Sequence, residues 1–291
     1  MKFLDLFAGI GGFRLGMEQA GHECVGCVEI DKYARKSYEA IYDTEEEWTA
    51  HDITTVADDD LEFLGGKGID VICGGFPCQT FSVAGKRGGF DDTRGTLFFE
   101  IARIAKQIKP RILLLENVKG LLSHEKGKTY RTILNTLDEL GYDAEWQVLN
   151  SKNFGVPQNR ERIFIVGHLR GQPRQEVFPI EGKNTNAISV FGYCVLITGA
   201  SLRKRENMEL EIRKDGLSNS LTQNVDHHLV KDSYRIRKLT PKECWRLQGF
   251  PDELFNKAAE VNSNSQLYKQ AGNSVTVNVV HEIAKRLWGL T

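Results

Sequence analysis

Ile69-Asp70-Val71-Ile72-Cys73-Gly74-Gly75-Phe76-Pro77-Cys78-Gln79 is the stretch that decides the fold. An apolar run of strand length, ended by two glycines and a proline, reads as a buried strand entering a sharp turn. In an open α/β sheet, ligands bind at the carboxyl edge of such strands, so the turn sets one thiol at a candidate site. Pro77 fixes the backbone angle before Cys78, and the glycines let a ligand approach closely. Taken alone, the turn favours a buried structural cysteine, and it is the surrounding chain that reverses the balance.

Outward from this strand, residues 1 to about 168 alternate strand and helix. Strands are expected at 3–7, 23–29, 70–73, 112–116, 144–149 and 163–166. Between them, Leu97, Ile101, Ile104 and Ile108 recur at helical spacing within 96–108, as do Ile133, Leu137 and Leu140 within 129–140, where Gly141 is a stop signal. Such alternation predicts an α/β fold with a mostly parallel sheet and helices on both faces. After Gly167 the texture changes. Residues 171–234 are polar and weakly periodic, as expected of a second, smaller and irregular domain. Helical patterning returns at 241–247 and near 274–287, where Val275, Val279, Ile283 and Leu287 form one stripe.

At 291 residues, 41% hydrophobic and 26% charged, the chain has the composition of an ordinary globular protein with a sizeable core. No apolar run approaches the roughly 20 residues that span a bilayer, and the first residues do not form a signal peptide, so a cytoplasmic location is expected. Cys24, Cys27, Cys73, Cys78, Cys194 and Cys244 show no disulfide spacing, and free thiols are expected. Cys24 and Cys27 lie in an apolar run with no second pair to complete a zinc site, so no metal is expected. The net charge of −1 carries no global basic excess, but a local cationic face is enough for nucleic acid. Arg203-Lys204-Arg205 and Arg235-Ile236-Arg237-Lys238 are either such a face or solvated surface.

The first strand runs into Phe7-Ala8-Gly9-Ile10-Gly11-Gly12-Phe13, and a helix follows. Glycines there let the backbone pass close to a ligand at the helix start. Glu29, near Asp31, follows the glycines by about 20 positions, a spacing suited to ribose hydroxyls. Asp52 comes where a third strand ends. The adjacent Gly11 and Gly12 depart from GxGxxG and favour a nucleoside-type cofactor without a pyrophosphate.

Together these segments resemble the C5-cytosine DNA methyltransferase family over about 3–167 and 235–288. The matching stretches are DLFAGIGGFRLG at 5–16, VEID at 28–31, HDIT at 51–54, GGFPCQTFS at 74–82 and RGTLFFEIARI at 94–104. ENVKG at 116–120, VPQNRERIFIVG at 156–167, RKLTPKECWRLQGFP at 237–251 and QAGNSV at 270–275 follow in family order. The resemblance implies a Rossmann-like S-adenosylmethionine-dependent methyltransferase sheet with a small target-recognition domain. It implies S-adenosylmethionine as cofactor, lined by Phe7, Gly9, Gly11 and Gly12. Glu29 would take the ribose, Asp52 and Ile53 would flank the adenine, and Ile30 would also touch the cofactor. Pro77 and Leu97 would complete the wall, and Asn273, Ser274 and Val275 would close it. That closure requires 263–291 to fold back on a catalytic domain of 1–168, leaving 169–262 as the recognition domain.

The resemblance also makes Cys78 the nucleophile toward cytosine C6, Glu116 the partner of N3 and the exocyclic amine, and Arg162 the contact to the carbonyl or a phosphate, with Arg160 in support. Alternate residues of a strand share a face, so the two arginines can point one way. A cytosine inside a duplex must be flipped out to react. The glycine-rich, cationic loop after Cys78 suits that task, and Gln79, Ser82, Lys86, Arg87 and Arg94 are its candidate DNA contacts. Target choice falls to 170–234, shorter than is usual for the family, where Arg203, Arg205 and Asn224, with His227 and His228, could reach DNA. The expected partner is double-stranded DNA, bound by a monomer. Two further readings stay open: a DNA-binding member of the fold with impaired catalysis, and an RNA cytosine-C5 methyltransferase.

Overall fold

A computed structural model of the chain describes residues 1–77, 97–182, 198–203, 209–212, 217–218, 220–221, 229–231 and 236–287. Strands β1 (Lys2–Leu6), β2 (Glu23–Val28), β3 (Trp48–Ala50), β4 (Val71–Gly75), β5 (Ile112–Val118), β6 (Tyr142–Asn150) and β7 (Glu161–Leu169) form one seven-stranded sheet in the order β3-β2-β1-β4-β5-β7-β6. The pairs among β1 to β5 are parallel, as the alternating pattern predicts. β7 runs antiparallel to both neighbours, which the pattern did not signal. The reason is length: the 151–160 connection holds only a short 3-10 turn, whereas a parallel pair needs a crossover of about a dozen residues or more. The reversal has a consequence for the site, because it brings the start of β7 to the carboxyl edge of β1–β5.

Side chains alternate across the sheet. Leu4, Leu6, Ile72, Leu113 and Leu115 bury one face under α3 (Asp58–Gly66), α4 (Leu97–Ile108) and α5 (Lys128–Glu139). Phe3, Val71, Cys73, Ile112 and Leu114 bury the other under α1 (Gly12–Gln19) and α9 (Val277–Leu287). The stripe Val275, Val279, Ile283 and Leu287 does pack in this second core. The helix itself starts later than its pattern, because Ser274 is the extended cap of the preceding helix and the Val277 amide donates to the Gln248 carbonyl. α1 and α9 touch closely: a Cβ on Gly16 would stand 2.7 Å from Val280 Cβ.

A third core joins α2 (Lys32–Ile41) to α6 (Pro241–Leu247), α7 (Asp252–Val261) and α8 (Asn264–Asn273) around the fully buried Trp245. α6 begins on a capping box, Thr240 with Glu243, with Pro241 at the first turn. Within and just after the weakly periodic stretch, β8 (Thr198–Arg203), β9 (Glu209–Ile212), β10 (Leu229–Lys231) and β11 (Ile236–Lys238) form an antiparallel sheet in the order β11-β10-β8-β9. Strands of three to six residues are too short to show a period in sequence. No helix of the described residues is long and apolar enough to cross a membrane.

Candidate active site

Strand order reverses at β1, whose neighbours β2 and β4 lead the chain to opposite sides. That crevice at the carboxyl edge is where an open α/β sheet binds ligands. A cleft of about 470 Å³ opens there, large enough for a nucleoside-sized ligand.

Its first half is built from β1, β2 and β3. After β1 the backbone turns left-handed at Phe7 (φ 57°), Gly9 (φ 58°) and Gly11 (φ 79°). For Phe7 this conformation costs on the order of 1–3 kcal/mol, so the packing around the loop has to enforce it. The Gly9 amide donates to Glu29 Oε2 at 2.7 Å, and the Asp31 amide donates to Glu29 Oε1 at 2.7 Å. Arg35 in turn donates to the Glu29 and Ile30 carbonyls, which pins the loop after β2. Burial pushes the Glu29 carboxyl up, and the two amides pull against that shift. Nothing lies within 4 Å of a Cβ built on Gly9, so the loop leaves open space on its cleft side. Ile30 stands 69% exposed at the mouth. Asp52 caps the turn at Ile53–Thr55, and Ile53 and Leu97 add apolar wall.

The second half is built from β4, β5 and β7. Pro77, Glu116, Arg160 and Arg162 all line the cleft. Glu116 pairs in register with Gly75, and a Cβ there would meet Glu116 Oε2 at 2.9 Å, so glycine at 75 gives the carboxylate its room. Arg162 Nε donates to Glu116 Oε1 at 3.0 Å. Burial pushes the Glu116 carboxyl up, and Arg162 then Arg160 offset part of the shift. Arg160 is buried and donates to the carbonyls of Leu221, Gly272 and Ser274 and to Ser220 Oγ. Burial and the neighbouring Arg162 lower its affinity for the proton, but a guanidinium stays cationic at neutral pH.

The fold thus gathers Phe7, Gly9, Glu29, Ile30, Asp52, Ile53, Pro77, Leu97, Glu116, Arg160, Arg162 and Asn273 around one cleft. Gly11, Gly12, Ser274 and Val275 stand behind its wall instead. Gly11 packs on Tyr42, and a Cβ on Gly12 would meet Ser274 Oγ at 2.7 Å, so these residues hold the loop against the C-terminal segment. Arg203 ends β8, paired with Glu209. Cys78, Gln79, Ser82, Lys86, Arg87, Arg94, Arg205 and Asn224 lie outside the described residues. Sequence reasoning passed over Lys269, whose Nζ sits 2.6 Å from Asp31 Oδ2 at the cleft mouth, and Gln270, which joins α8 to Ser37 and Tyr33. These contacts cross more than 230 positions, and no local pattern announces them.

The donor set fits S-adenosylmethionine. Two carboxylates, Glu29 and Asp52, flank an exposed apolar residue beside an open backbone loop. The lysine at this end is already paired with Asp31, which suits ribose hydroxyls and a flat base better than phosphates. No group of three or more metal-binding side chains gathers among the described residues.

Comparisons with known proteins agree with this geometry. The family model for C-5 cytosine-specific DNA methylase matches residues 1–190 and 198–288. The type II methyltransferase M1.ScrFI of Lactococcus lactis subsp. cremoris is 41% identical, over 98% of this chain and 77% of its own length. M.HhaI of Haemophilus parahaemolyticus is 36% identical, over 98% of this chain and 93% of its own length. Among solved structures, Schizosaccharomyces pombe Dnmt2 methyltransferase superposes with a TM-score of 0.70 at 21% identity, over 100% of this chain and 99% of the other, a likeness of fold. With its sheet, its cleft and nearly its whole length accounted for, the chain belongs to the C-5 cytosine-specific DNA methylase family.

Proposed function

We propose that this chain transfers a methyl group from S-adenosylmethionine to C5 of a cytosine flipped out of duplex DNA, with Cys78 attacking C6. Methylation of cytosine C5 in DNA is the activity for which the family is named. One observation carries the assignment of roles: the Pro77 turn, the Glu116–Arg162 pair and the Gly9–Glu29 loop open into a single cleft.

Cytosine C5 is a poor nucleophile while the ring is aromatic. Addition of the Cys78 thiolate to C6 forms a C–S bond and moves electron density onto N3 and C5, dividing one hard step into easier ones. Glu116 is largely but not fully buried at the cleft, and that burial inclines it to hold a proton, so it can donate to N3 as that density builds. Two cations beside one carboxylate leave a net positive floor, which favours the thiolate and the developing charge on the ring carbonyl. Arg162 faces that carbonyl or a flanking phosphate, and Arg160 holds the floor to the 272–274 turn. When bound, the cofactor supplies an electrophilic methyl group. After transfer, loss of the C5 proton to a base such as water lets the C–S bond break and returns the thiolate.

Glu29 takes the ribose hydroxyls, Ile30, Asp52 and Ile53 the adenine, and Asn273 closes the pocket, with Ser274 and Val275 bracing it from behind. The catalytic domain comprises 1–168 with 263–291, and 169–262 forms the target-recognition domain, anchored through α6 and α7 on α2. Gln79, Ser82, Lys86, Arg87, Arg94, Arg203, Arg205 and Asn224 contact DNA. The chain acts as a monomer. The likeness to type II methyltransferases supports a place in a restriction-modification system or in phage self-protection, in the cytoplasm.

The test is methyl transfer from radiolabelled S-adenosylmethionine to mixed-sequence duplex DNA, with tRNA and a C78S variant alongside. Label should enter DNA with the wild type and vanish with C78S, while C78S still binds cofactor. Lost cofactor binding in C78S would make Cys78 structural. Label in tRNA alone would favour the RNA reading, and none in either would favour an impaired DNA binder.

A further inference from the structure

β4 leaves the sheet after Gly75, while β5 continues to Val118 alongside β7. Beyond Gly75 the ladder between the two parallel strands stops, and Pro77 has no amide to extend it. A side chain bridges the gap. Asn117 Nδ2 donates to the Phe76 carbonyl at 2.9 Å, and Asn117 Oδ1 accepts from the Val118 amide at 2.8 Å. Asn117 is buried (2% exposed), so its amide has no water to exchange these partners for. The Phe76 ring is buried as well, 5.5 Å from the Phe98 ring.

We propose that Asn117 is a positioning residue for the nucleophile: its amide holds the Phe76 carbonyl so that the Pro77–Cys78 peptide leaves the sheet at one fixed place beside Glu116. The inference rests on Cys78 as the attacking thiol. Its logic is short. The Phe76 carbonyl belongs to the peptide bond that enters Pro77, whose ring fixes the next backbone angle. The next residue, Cys78, is joined to Pro77 by a single peptide bond. Little freedom remains between the Asn117 amide and Pro77. An amide is the side chain that fits, since one end must donate and the other accept. Aspartate keeps the shape and the acceptor but loses the donor, and alanine loses both.

Full-length N117D and N117A are compared with wild type and C78S in single-turnover methyl transfer to duplex DNA, alongside DNA KM, cofactor Kd and thermal unfolding. A misplacement of about 1 Å costs on the order of 100-fold in rate, so both variants should transfer methyl roughly 10- to 100-fold more slowly. DNA KM and cofactor Kd should stay within about threefold, and the two variants should be similarly slow, because both lose the donor to Phe76. Wild-type rates in a folded N117A with C78S inactive would overturn the role of Asn117 alone. Methyl transfer surviving in C78S would overturn the underlying reading and this inference with it. Rate loss matched by equal losses in cofactor affinity and melting temperature, or failure of both variants to fold, would make Asn117 a fold residue and overturn the assignment.

Discussion

Asp5 lies in β1 with no exposure to solvent, and its Oδ2 is buried without a hydrogen-bond partner. Its Oδ1 is 3.9 Å from Cys73 Sγ. Arg14 is the cation nearest in effect, but its guanidinium already donates to Glu47 at 2.8 Å through both Nη1 and Nη2 and to Glu18 at 2.8 Å through Nε. Desolvation therefore outweighs Arg14, and burial pushes the Asp5 carboxyl up to about 8. An unfolded aspartate titrates near 3.9. Between about pH 4 and 8 the folded chain thus holds a proton that the unfolded chain has released. The stability owed to the neutral carboxyl is complete below about pH 4 and is lost as pH rises through about 8, at roughly 1.4 kcal/mol per pH unit. Asp5→Asn keeps the shape and removes the titration. The stability of D5N minus that of wild type should rise by roughly 2.7 kcal/mol between about pH 5.5 and 7.5 and flatten above about pH 8. Guanidinium denaturation of both proteins, followed by tryptophan fluorescence, measures that difference, and groups common to both cancel. A difference that stays flat over the same range would refute the reasoning, since Asp5 would then be ionised and Arg14 would outweigh desolvation.

Two further outcomes follow from the same geometry. Gly16→Ala should gain about 0.5–1 kcal/mol in helix propensity and lose about 1–3 kcal/mol to overpacking. Val280 Cβ cannot rotate away from a new atom 2.7 Å distant, so a net loss that lowers the melting temperature by a few degrees is expected, and an unchanged or higher one would contradict the tight α1–α9 contact. Glu29→Gln replaces one acceptor oxygen with a donor facing a backbone amide, so cofactor Kd by calorimetry should rise about 10- to 100-fold, and a change under threefold would remove Glu29 from the cofactor site.

The parallel core of the sheet was readable from local pattern, because buried parallel strands are short apolar runs and the helices between them carry a 3.6-residue period. Glu116 and the glycine loop were readable as sheet-edge positions because each stands at the end of such a run, and the run locates the edge. The family was readable from motifs in order, and the comparisons show it. Local pattern did not show that β7 turns back, which is a matter of how far 151–160 can reach. Nor did it show that Gly12 and Ser274 meet behind the wall instead of in it, or that Asn117 rather than backbone carries β5 to Phe76. Arg160 makes the division plain. Sequence alone determined its place just before a strand. Only the tertiary structure decided that its guanidinium ties Leu221, Gly272 and Ser274 beside Glu116, because hydrogen bonds spanning 61 to 114 positions leave no periodicity in the chain that makes them.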